Sequence, residues 1–260
     1  METITICQRK GGTGKTTTAL NLGAGLRRNG KRILFVDLDS QGNLTKNLHI
    51  NTDGVKHSSF DVLTGSSTAD EAVVKTAEGD LIPASAELAT LDIESMTWNR
   101  KQYRLRDALE PIKGRYGYII IDTPPALGIS LINALTASQS AIIPCEARQG
   151  SLDGIGQLYG TIEAVQRHTN KSLKIKGIVA TRCKTQTILT RDMMENLKDA
   201  ASSLGTKLYD AQIRENTAIG EAESMRQSIF EYAPKSNGAI DYADLVEEIL
   251  REEKKTYGKK

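Results

Sequence analysis

The residues best suited to chemistry stand close together near the start of the sequence. They form the run Lys10, Gly11, Gly12, Thr13, Gly14, Lys15, Thr16 and Thr17. Glycines let backbone N–H groups turn inward around phosphate oxygens, and a helix N-terminus adds partial positive charge at the same place. A lysine at this spacing reaches the β- and γ-phosphates of a nucleotide, and the following hydroxyl binds Mg²⁺. The run therefore predicts a phosphate-binding loop (P-loop) at residues 10–17, with Lys15 on the phosphates and Thr16 on the metal.

The segments on either side of this loop support the prediction. Residues 4–7 alternate as a strand does, and Ala19, Leu22 and Leu26 follow at helical spacing. The order is therefore strand, glycine loop and helix, which disfavours the alternative of a glycine-rich turn without a ligand. Arg9 stands where the first glycine of an ordinary P-loop is expected, and Lys10 has no role in an ordinary P-loop.

Carboxylates follow two further apolar runs. Residues 32–37 indicate a buried parallel strand that ends in Asp37, with Asp39 just beyond it. Alternation would point these two side chains the same way, at the strand end where open α/β sheets bind ligands. Residues 116–122 indicate a second strand, ending in Asp122. An aspartate at the end of such a strand, downstream of a P-loop, is typical of the Walker B carboxylate that holds Mg²⁺.

The remaining pattern predicts a doubly wound α/β fold. Short strands are expected at 81–83, 140–145, 174–181 and 207–213, and helices at 61–63, 69–74, 100–112, 152–167, 189–203 and 238–254. Together with residues 4–7, 32–37 and 116–122, this gives about seven strands in a mostly parallel sheet with flanking helices. No linker or repeat interrupts the pattern, so we expect a single domain over residues 1–260.

The bulk composition excludes few functions. The chain has 260 residues and a net charge of +2. The spacing of Cys7, Cys145 and Cys183 fits neither a metal site nor a disulfide framework, which favours reduced thiols in the cytoplasm. No run of 18 apolar residues is present, and the first residues lack the basic region of a signal peptide.

Four motifs together resemble one protein family. The string from Lys10 to Thr16 resembles the deviant Walker A motif of the ParA/Soj/MinD ATPases. Residues 36–43 look like the family's switch I, with Ser40 in place of its usual proline, and residues 121–125 look like its Walker B motif. Residues 229–239 resemble the C-terminal motif of chromosomal and plasmid ParA proteins. We expect no N-terminal DNA-reading domain of the kind found in the longer plasmid proteins, and on this expectation the chain is similar to the short, Soj-like class.

The resemblance implies an ATPase that partitions DNA. In that family ATP bridges two subunits in a sandwich dimer, with Lys15 holding phosphates in its own subunit and Lys10 reaching across to the partner's nucleotide. Thr16 and Asp122 would organise Mg²⁺, Asp37 would lie near the metal's second shell, and Asp39 would position the attacking water. The expected catalytic residues are thus Lys10, Lys15 and Asp39, and the cofactors are ATP and Mg²⁺. A ParB-like partner is expected to stimulate slow hydrolysis.

A basic stretch predicts DNA binding independently. No acidic residue lies between Glu163 and Asp192, where seven cations occur: Arg167, Lys171, Lys174, Lys176, Arg182, Lys184 and Arg191. Cations without a counter-charge could form a phosphate-binding face, and we select Lys174, Lys176, Arg182 and Lys184 for it. The alternative is a set of solvated helix ends and loops. No aromatic residues interleave, so sequence-independent binding and association with the nucleoid are expected. The family's usual arginine in this region aligns with Gln186.

Three other functions stay open. A MinD-like, membrane-recruited regulator needs a basic amphipathic C-terminal helix. Here the acids Glu247, Glu248, Glu252 and Glu253 precede Lys254 and Lys255, so we expect no stable membrane association. An electron-transfer protein like the nitrogenase iron protein needs paired cysteines, which Cys145 and Cys183 do not match. A scaffold that binds ATP without turnover is disfavoured by Asp39.

Overall fold

The computed structural model describes residues 1–148, 153–184 and 188–257. The strands are β1 (Glu2–Ile6), β2 (Ile33–Asp37), β3 (Val74–Lys75), β4 (Asp80–Ile82), β5 (Tyr118–Asp122), β6 (Ser140–Glu146), β7 (Lys174–Cys183) and β8 (Leu208–Arg214). The helices are α1 (Lys15–Arg28), α2 (Asn43–Asn47), α3 (Ser59–Thr64), α4 (Ala69–Ala72), α5 (Leu91–Glu94), α6 (Arg104–Leu109), α7 (Ile129–Ala137), α8 (Asp153–His168), α9 (Ile188–Ser203), α10 (Thr217–Ser224), α11 (Ile229–Tyr232) and α12 (Asn237–Tyr257).

The strands form one sheet in the order β3-β4-β2-β5-β1-β6-β7-β8. Every described pairing is parallel except that of β3 with β4. Strand β1 lies in the middle, and its register on β5 sets Ile6 beside Asp122. The neighbouring register sets Asp37 beside Asp122 as well. The loops after β1, β2 and β5 therefore meet at the carboxyl edge of the sheet.

Helices cover both faces of the sheet, as the apolar strand sequences predict. Helices α1, α10, α11 and α12 contribute to the hydrophobic core on one face. Helices α3, α6, α7, α8 and α9 contribute to the cores on the other. The central strands β2 and β5 are buried along their whole length. The predicted doubly wound, mostly parallel α/β architecture is confirmed.

Two local expectations are corrected. The sheet has eight described strands instead of seven, because Val74–Lys75 pairs with β4 as a short antiparallel edge. The helix expected at 69–74 ends at Ala72, and Val73 is already extended. A capping box formed by Thr68 and Glu71 supports that single helical turn, and the β-branched pair Val73 and Val74 then favours extended backbone.

The last helix is tied to the amino-end edge of the sheet by ion pairs. Lys176 on β7 contacts Glu2 of β1 at 2.8 Å and Glu252 of α12 at 3.9 Å. Lys207 contacts Glu248 at 2.6 Å and also pairs with Glu252. Three glutamates of α12, including Glu253 on Lys31, thus face cations of the protein body. Across the described residues, no helix is long and apolar enough to cross a membrane.

Candidate nucleotide site

The loop after β1 has the backbone form that its glycines predict. Gly12 and Gly14 have φ angles of 74° and 84°, in the left-handed region that favours glycine. Gly14 is the residue before α1, and its carbonyl accepts a 2.8 Å hydrogen bond from the Thr18 N–H. The loop borders an open cleft of about 760 Å³ that is also lined by Lys15, Thr16, Asp39 and Arg182. Backbone N–H groups, a helix N-terminus and a lysine therefore converge on one concave space.

Lys15 is a buried cation at the base of this cleft. Lys15 is 7% exposed, and its Nζ donates a 3.4 Å hydrogen bond to the carbonyl of Lys10. Burial lowers the pKa of Lys15, while the nearby Asp122 and Asp39 carboxylates act against that shift. A single long hydrogen bond leaves most of the ammonium's donor capacity for a bound anion.

Thr16 and Asp122 meet as the metal-site prediction requires. The Thr16 hydroxyl donates a 2.7 Å hydrogen bond to Oδ2 of Asp122. Asp122 is completely buried, and burial together with the adjacent Asp37 raises its pKa well above the ordinary range. A buried carboxylate whose ionisation is disfavoured, next to a hydroxyl, fits a site that a divalent cation would complete.

Asp37 lies beneath this pair and does not line the cleft. It is completely buried, and its Oδ2 accepts hydrogen bonds from the backbone N–H and the hydroxyl of Thr45, at 2.9 and 2.7 Å. Its Oδ1 accepts from the Asp39 N–H at 3.1 Å. Burial raises the pKa of Asp37 to about 6, with the hydrogen bonds opposing the shift. These contacts favour a position behind the metal ligands over direct coordination.

Asp39 lines the open part of the cleft, two residues beyond β2. Its Oδ1 accepts a 3.0 Å hydrogen bond from the Gln41 N–H, which fixes one carboxylate oxygen. Helix α2 begins at Asn43, and Asn43 and Asn47 line the same wall. Alternation predicted that Asp37 and Asp39 would point the same way. Instead, Asp37 points into the interior while Asp39 faces the cleft.

Lys10 and its neighbours on the loop take different positions. The Lys10 side chain is exposed, and Lys10 is not among the cleft-lining residues. Thr13 is buried, and its carbonyl accepts a 2.9 Å hydrogen bond from the Thr181 hydroxyl of β7. The Thr17 hydroxyl bonds to the Glu223 carboxylate of α10. The loop is thus braced from two sides, while its first lysine points out of its own site.

The four predicted DNA-binding residues are not brought together. Lys174 and Lys176 lie at the start of β7, and Arg182 and Lys184 lie at its end and just beyond, about 26 Å away at the usual rise of a strand. The expectation that these cations lack a counter-charge is wrong for three of the four, because carboxylates distant in sequence reach them. Lys176 pairs with Glu2, Arg182 lies 3.8 Å from Glu146, and Lys184 lies 3.8 Å from Glu215. Lys174 is exposed and has no ion pair among the described residues. Gln186 lies outside the described residues.

Arg182 belongs to the nucleotide cleft. It lines the cleft together with the loop before α1, and its backbone has a φ of 49°. A positive φ at a non-glycine residue is uncommon and clusters at functional sites. The side chain is about half exposed, 3.8 Å from Glu146. Sequence reasoning assigned this arginine to DNA because a linear pattern does not tell which edge of the sheet a strand end reaches.

Sequence reasoning also missed the wall made by α10. Gly220, Glu223 and Ser224 line the cleft beside Thr17. No motif marks this helix, and only its position after β8 could have suggested it, since strand ends at the carboxyl edge form ligand sites.

Comparisons with known proteins show the family to which the chain belongs. The family model described as "AAA domain" matches residues 1–175. The chain is 41% identical over 248 residues to the sporulation initiation inhibitor protein Soj of Bacillus subtilis, covering 95% of this chain and 97% of Soj. It is 38% identical over 258 residues to the chromosome partitioning protein ParA of Caulobacter vibrioides, covering 98% and 96%.

A solved structure matches nearly the whole fold. It is the crystal structure of a cobyrinic acid a,c-diamide synthase from Mycobacterium smegmatis with bound ADP and magnesium. The TM-score is 0.86 and the identity is 32%, over 99% of this chain and 96% of that one. These matches confirm the resemblance carried by residues 10–16, 36–43, 121–125 and 229–239. The chain belongs to the ParA/Soj family of P-loop proteins.

Proposed function

We propose that this protein is a DNA-partitioning ATPase that binds DNA without sequence preference in its ATP-bound dimeric form. The observation that carries this proposal is the convergence of Lys15, Thr16 and Asp39 at one cleft, with Asp122 hydrogen-bonded to Thr16 behind it. Relatives that are at least 38% identical over nearly the whole chain are named for chromosome partitioning or for Soj. ATP and Mg²⁺ are the proposed cofactors, since a homologue that is 32% identical has been solved with ADP and magnesium.

The site residues divide the work of phosphoryl transfer. This reaction depends on positioning and on neutralising charge. Lys15 and the amides of the loop would bind the β- and γ-phosphates, while Thr16 and Asp122 would hold Mg²⁺, which neutralises charge on the phosphate oxygens. Asp39, with one oxygen held by the Gln41 N–H, would orient the attacking water with the other. Asp37 would keep Asp39 in place through the Asp39 N–H.

The exposed position of Lys10 supports a role in a dimer. A lysine that points out of its own cleft is free to reach a nucleotide held by a second subunit. ATP would then be bound between two copies of the chain, and hydrolysis would release them. A ParB-like, DNA-bound partner would stimulate that hydrolysis, and the ATP-bound dimer would reside on the nucleoid.

DNA binding tests the proposal most directly. Fluorescence anisotropy with several unrelated duplexes should show binding with ATP and Mg²⁺, and much weaker binding with ADP. Affinity should be similar for all duplexes and should fall steeply with salt, because each neutralised phosphate releases counterions. Size-exclusion chromatography in the same buffers should show a dimer with ATP only. Failure to bind any duplex with ATP would refute the DNA-partitioning role.

A MinD-like membrane role is the main alternative. The apolar stripe of α12 packs into the core through Leu245, Val246 and Ile249, and its glutamates pair with Lys31, Lys176 and Lys207. The apolar face and the glutamates beside it are therefore engaged by the protein body. The remaining, exposed face carries Asp244, Glu247 and Arg251, and its acids disfavour binding to anionic lipid. Co-sedimentation with anionic liposomes in the presence of ATP would favour this alternative instead.

The cysteines disfavour an iron–sulfur role. Cys7, Cys145 and Cys183 are all buried, and burial raises the pKa of Cys7 and Cys145 to about 12. Thiols held in the neutral form deep in the core are poorly placed to share a cluster with a second subunit.

A further inference from the structure

The segment from Trp98 to Asp107, here called the basic segment, concentrates cations beside aromatic rings. Its cations are Arg100, Lys101, Arg104 and Arg106, and its single acid is Asp107. It runs from the end of the turn after α5 into α6, on the face of the sheet covered by α3 and α7. None of its residues lines the nucleotide cleft. The basic segment is therefore a charged surface that the proposed ATP site does not use.

The arginines of this segment stack on its aromatic rings. The Arg104 guanidinium lies 5.2 Å from the centre of the Trp98 ring. Arg100 and Arg106 lie 5.2 and 4.4 Å from the centre of the Tyr103 ring. Stacking holds a guanidinium in plane and leaves its N–H edges for oxygen acceptors, so less entropy is lost when they bind a phosphate. The ring faces are covered by arginines and are therefore not open to nucleic-acid bases. This arrangement favours contacts between the guanidinium groups and phosphates over base stacking.

The charges of the basic segment are only partly compensated. Asp107 is shared between Arg106, at 2.8 Å, and Arg100, at 3.6 Å. Lys101 and Arg104 form no ion pair with any carboxylate in residues 1–148, 153–184 and 188–257. The nearby acid Asp70 is engaged by Arg115. This contrasts with Lys176, Arg182 and Lys184, which all pair with glutamates.

The backbone beneath these cations is fixed. Leu105 is completely buried, and its N–H donates a 3.1 Å hydrogen bond to Oδ1 of Asn133 on α7. Nδ2 of the same asparagine donates to the carbonyl of Lys101 at 2.9 Å. A cavity of about 490 Å³ opens beside the segment, lined by Arg100, Arg104 and Gly65 among others. Arg100 and Arg104 therefore border a concave surface, and the backbone of Lys101 is anchored next to them by Asn133.

We propose that the basic segment is a binding surface for the phosphate backbone of DNA, with Arg100, Lys101 and Arg104 as its phosphate contacts. This inference rests on the DNA binding proposed above and moves its location away from β7. Binding through guanidinium edges and an ammonium carries no sequence information, because phosphates are the same in every sequence. The surface lies apart from the nucleotide cleft, so its charges can be removed by substitution without changing a residue that lines the cleft.

A matched set of full-length variants tests the proposal. The first is Arg100→Gln, Lys101→Gln and Arg104→Gln combined. The control, Lys198→Gln with Lys235→Gln and Arg251→Gln, removes the same charge from exposed positions elsewhere. A third variant, Arg100→Lys with Arg104→Lys, keeps the charge and loses the stacking. ATP affinity and DNA-free hydrolysis are measured for all three, which verifies that each is folded.

DNA affinity is then measured with ATP and Mg²⁺ over a series of salt concentrations. The first variant should bind every duplex at least about tenfold more weakly, and the slope of log K against log salt should shrink by about 2.7, for three phosphates lost. The control should keep most of the parent's slope, and the lysine variant should keep the slope with reduced affinity.

Two results would overturn this inference alone, provided that the parent binds DNA. The first is that the glutamine variant binds DNA with unchanged affinity. This includes the case in which the variant loses only the stimulation of its ATP hydrolysis by a protein partner. The second is an equal loss in the control, which would indicate a general charge effect. Absence of DNA binding by the parent itself would instead refute the proposed function and remove the basis of the inference with it.

Discussion

The Thr16 hydroxyl and the Asp122 carboxylate are joined by a 2.7 Å hydrogen bond between the first helix and the central strand β5. This contact connects the P-loop to the Walker B carboxylate. Both residues are the predicted magnesium ligands, so together they would hold the cation that neutralises charge on the phosphate oxygens. The hydrogen bond keeps the two oxygens beside each other, and a fixed polar arrangement of this kind favours electrostatic catalysis.

Lys15→Ala should abolish tight nucleotide binding. Removing a buried cation from the phosphate site loses a charge-assisted hydrogen bond of roughly 3 kcal/mol, or at least about a hundredfold in affinity. Thermal stability should change little, because burial already disfavours the charged form of this lysine. Isothermal titration with ATP and Mg²⁺ measures the effect, with Lys198→Ala as a charge control. Retained tight binding would contradict the P-loop assignment.

Lys10→Ala should separate nucleotide binding from turnover. The Lys10 side chain lies outside its own cleft, so ATP should still bind through Lys15 and the loop amides. Hydrolysis should fall by about tenfold or more if Lys10 stabilises the partner's transferring phosphate. Arg9→Ala, the adjacent exposed cation, is the control in a phosphate-release assay. Equal turnover by the two variants would mean that Lys10 is only a surface residue.

Asp39→Ala and Asp122→Ala should have different defects. Without Asp39 the attacking water loses its orienting carboxylate, so the variant should bind ATP, dimerise and remain on DNA longer than the parent. Without Asp122 the Mg²⁺ site is disturbed, so the ATP complex itself should weaken. Size-exclusion chromatography with ATP and Mg²⁺, run beside phosphate release, distinguishes them. Normal hydrolysis by Asp39→Ala would refute its assigned role.

Asp37 should make the nucleotide-free protein less stable as pH rises. Its pKa is raised from 3.8 to about 6, so between these values the folded state binds more protons than the unfolded state. Stability must then fall as pH increases through that window, by about 3 kcal/mol in total for a shift of this size. Asp37→Asn should remove this contribution. Urea unfolding of parent and variant from pH 4 to pH 7 measures it, and a constant difference between them would contradict the prediction.

Arg182 should act on the nucleotide more than on DNA. It lines the ATP cleft, whereas Lys184 pairs with Glu215 outside it. We expect Arg182→Ala to weaken ATP binding severalfold, through the loss of one cation near an anionic ligand. Lys184→Ala should leave ATP affinity unchanged. A titration with ATP compares the two variants, and equal affinities would return Arg182 to the DNA-binding set.

The sequence predicted the central part of the fold because that part has a strong local pattern. Strands β2 and β5 are continuous apolar runs and β1 alternates as a strand does. Each is followed by a loop with glycines or aspartates, and the structure places these loops at one edge. Strand β3 was missed because two residues are too short to show a period. Helix α4 was extended too far because Val73 and Val74 fit a helical stripe as well as a strand.

Charge compensation could not be predicted from a linear pattern. The stretch after Glu163 contains no acidic residue, so its cations were predicted to be unpaired. In the structure, Lys176 forms ion pairs with Glu2, near the start of the chain, and with Glu252, in the last helix. The basic segment was overlooked because nothing in its sequence pattern marks its cations as unpaired. Its arginines read as an ordinary helix start, and only the structure reveals that they stack on Trp98 and Tyr103.

Lys176 has a further consequence for the way the chain is synthesised. It joins the first strand to the last helix, and the first strand also needs β5 and β6 as neighbours. Contacts between residues so distant in sequence slow folding. When the P-loop of a nascent chain leaves the ribosome, the strands and the helix that pack around β1 have not yet been synthesised. The nucleotide site therefore cannot yet be formed. The nucleotide site at the carboxyl edge of the sheet and the contact between β1 and α12 should therefore form together, late in translation, in one cooperative step.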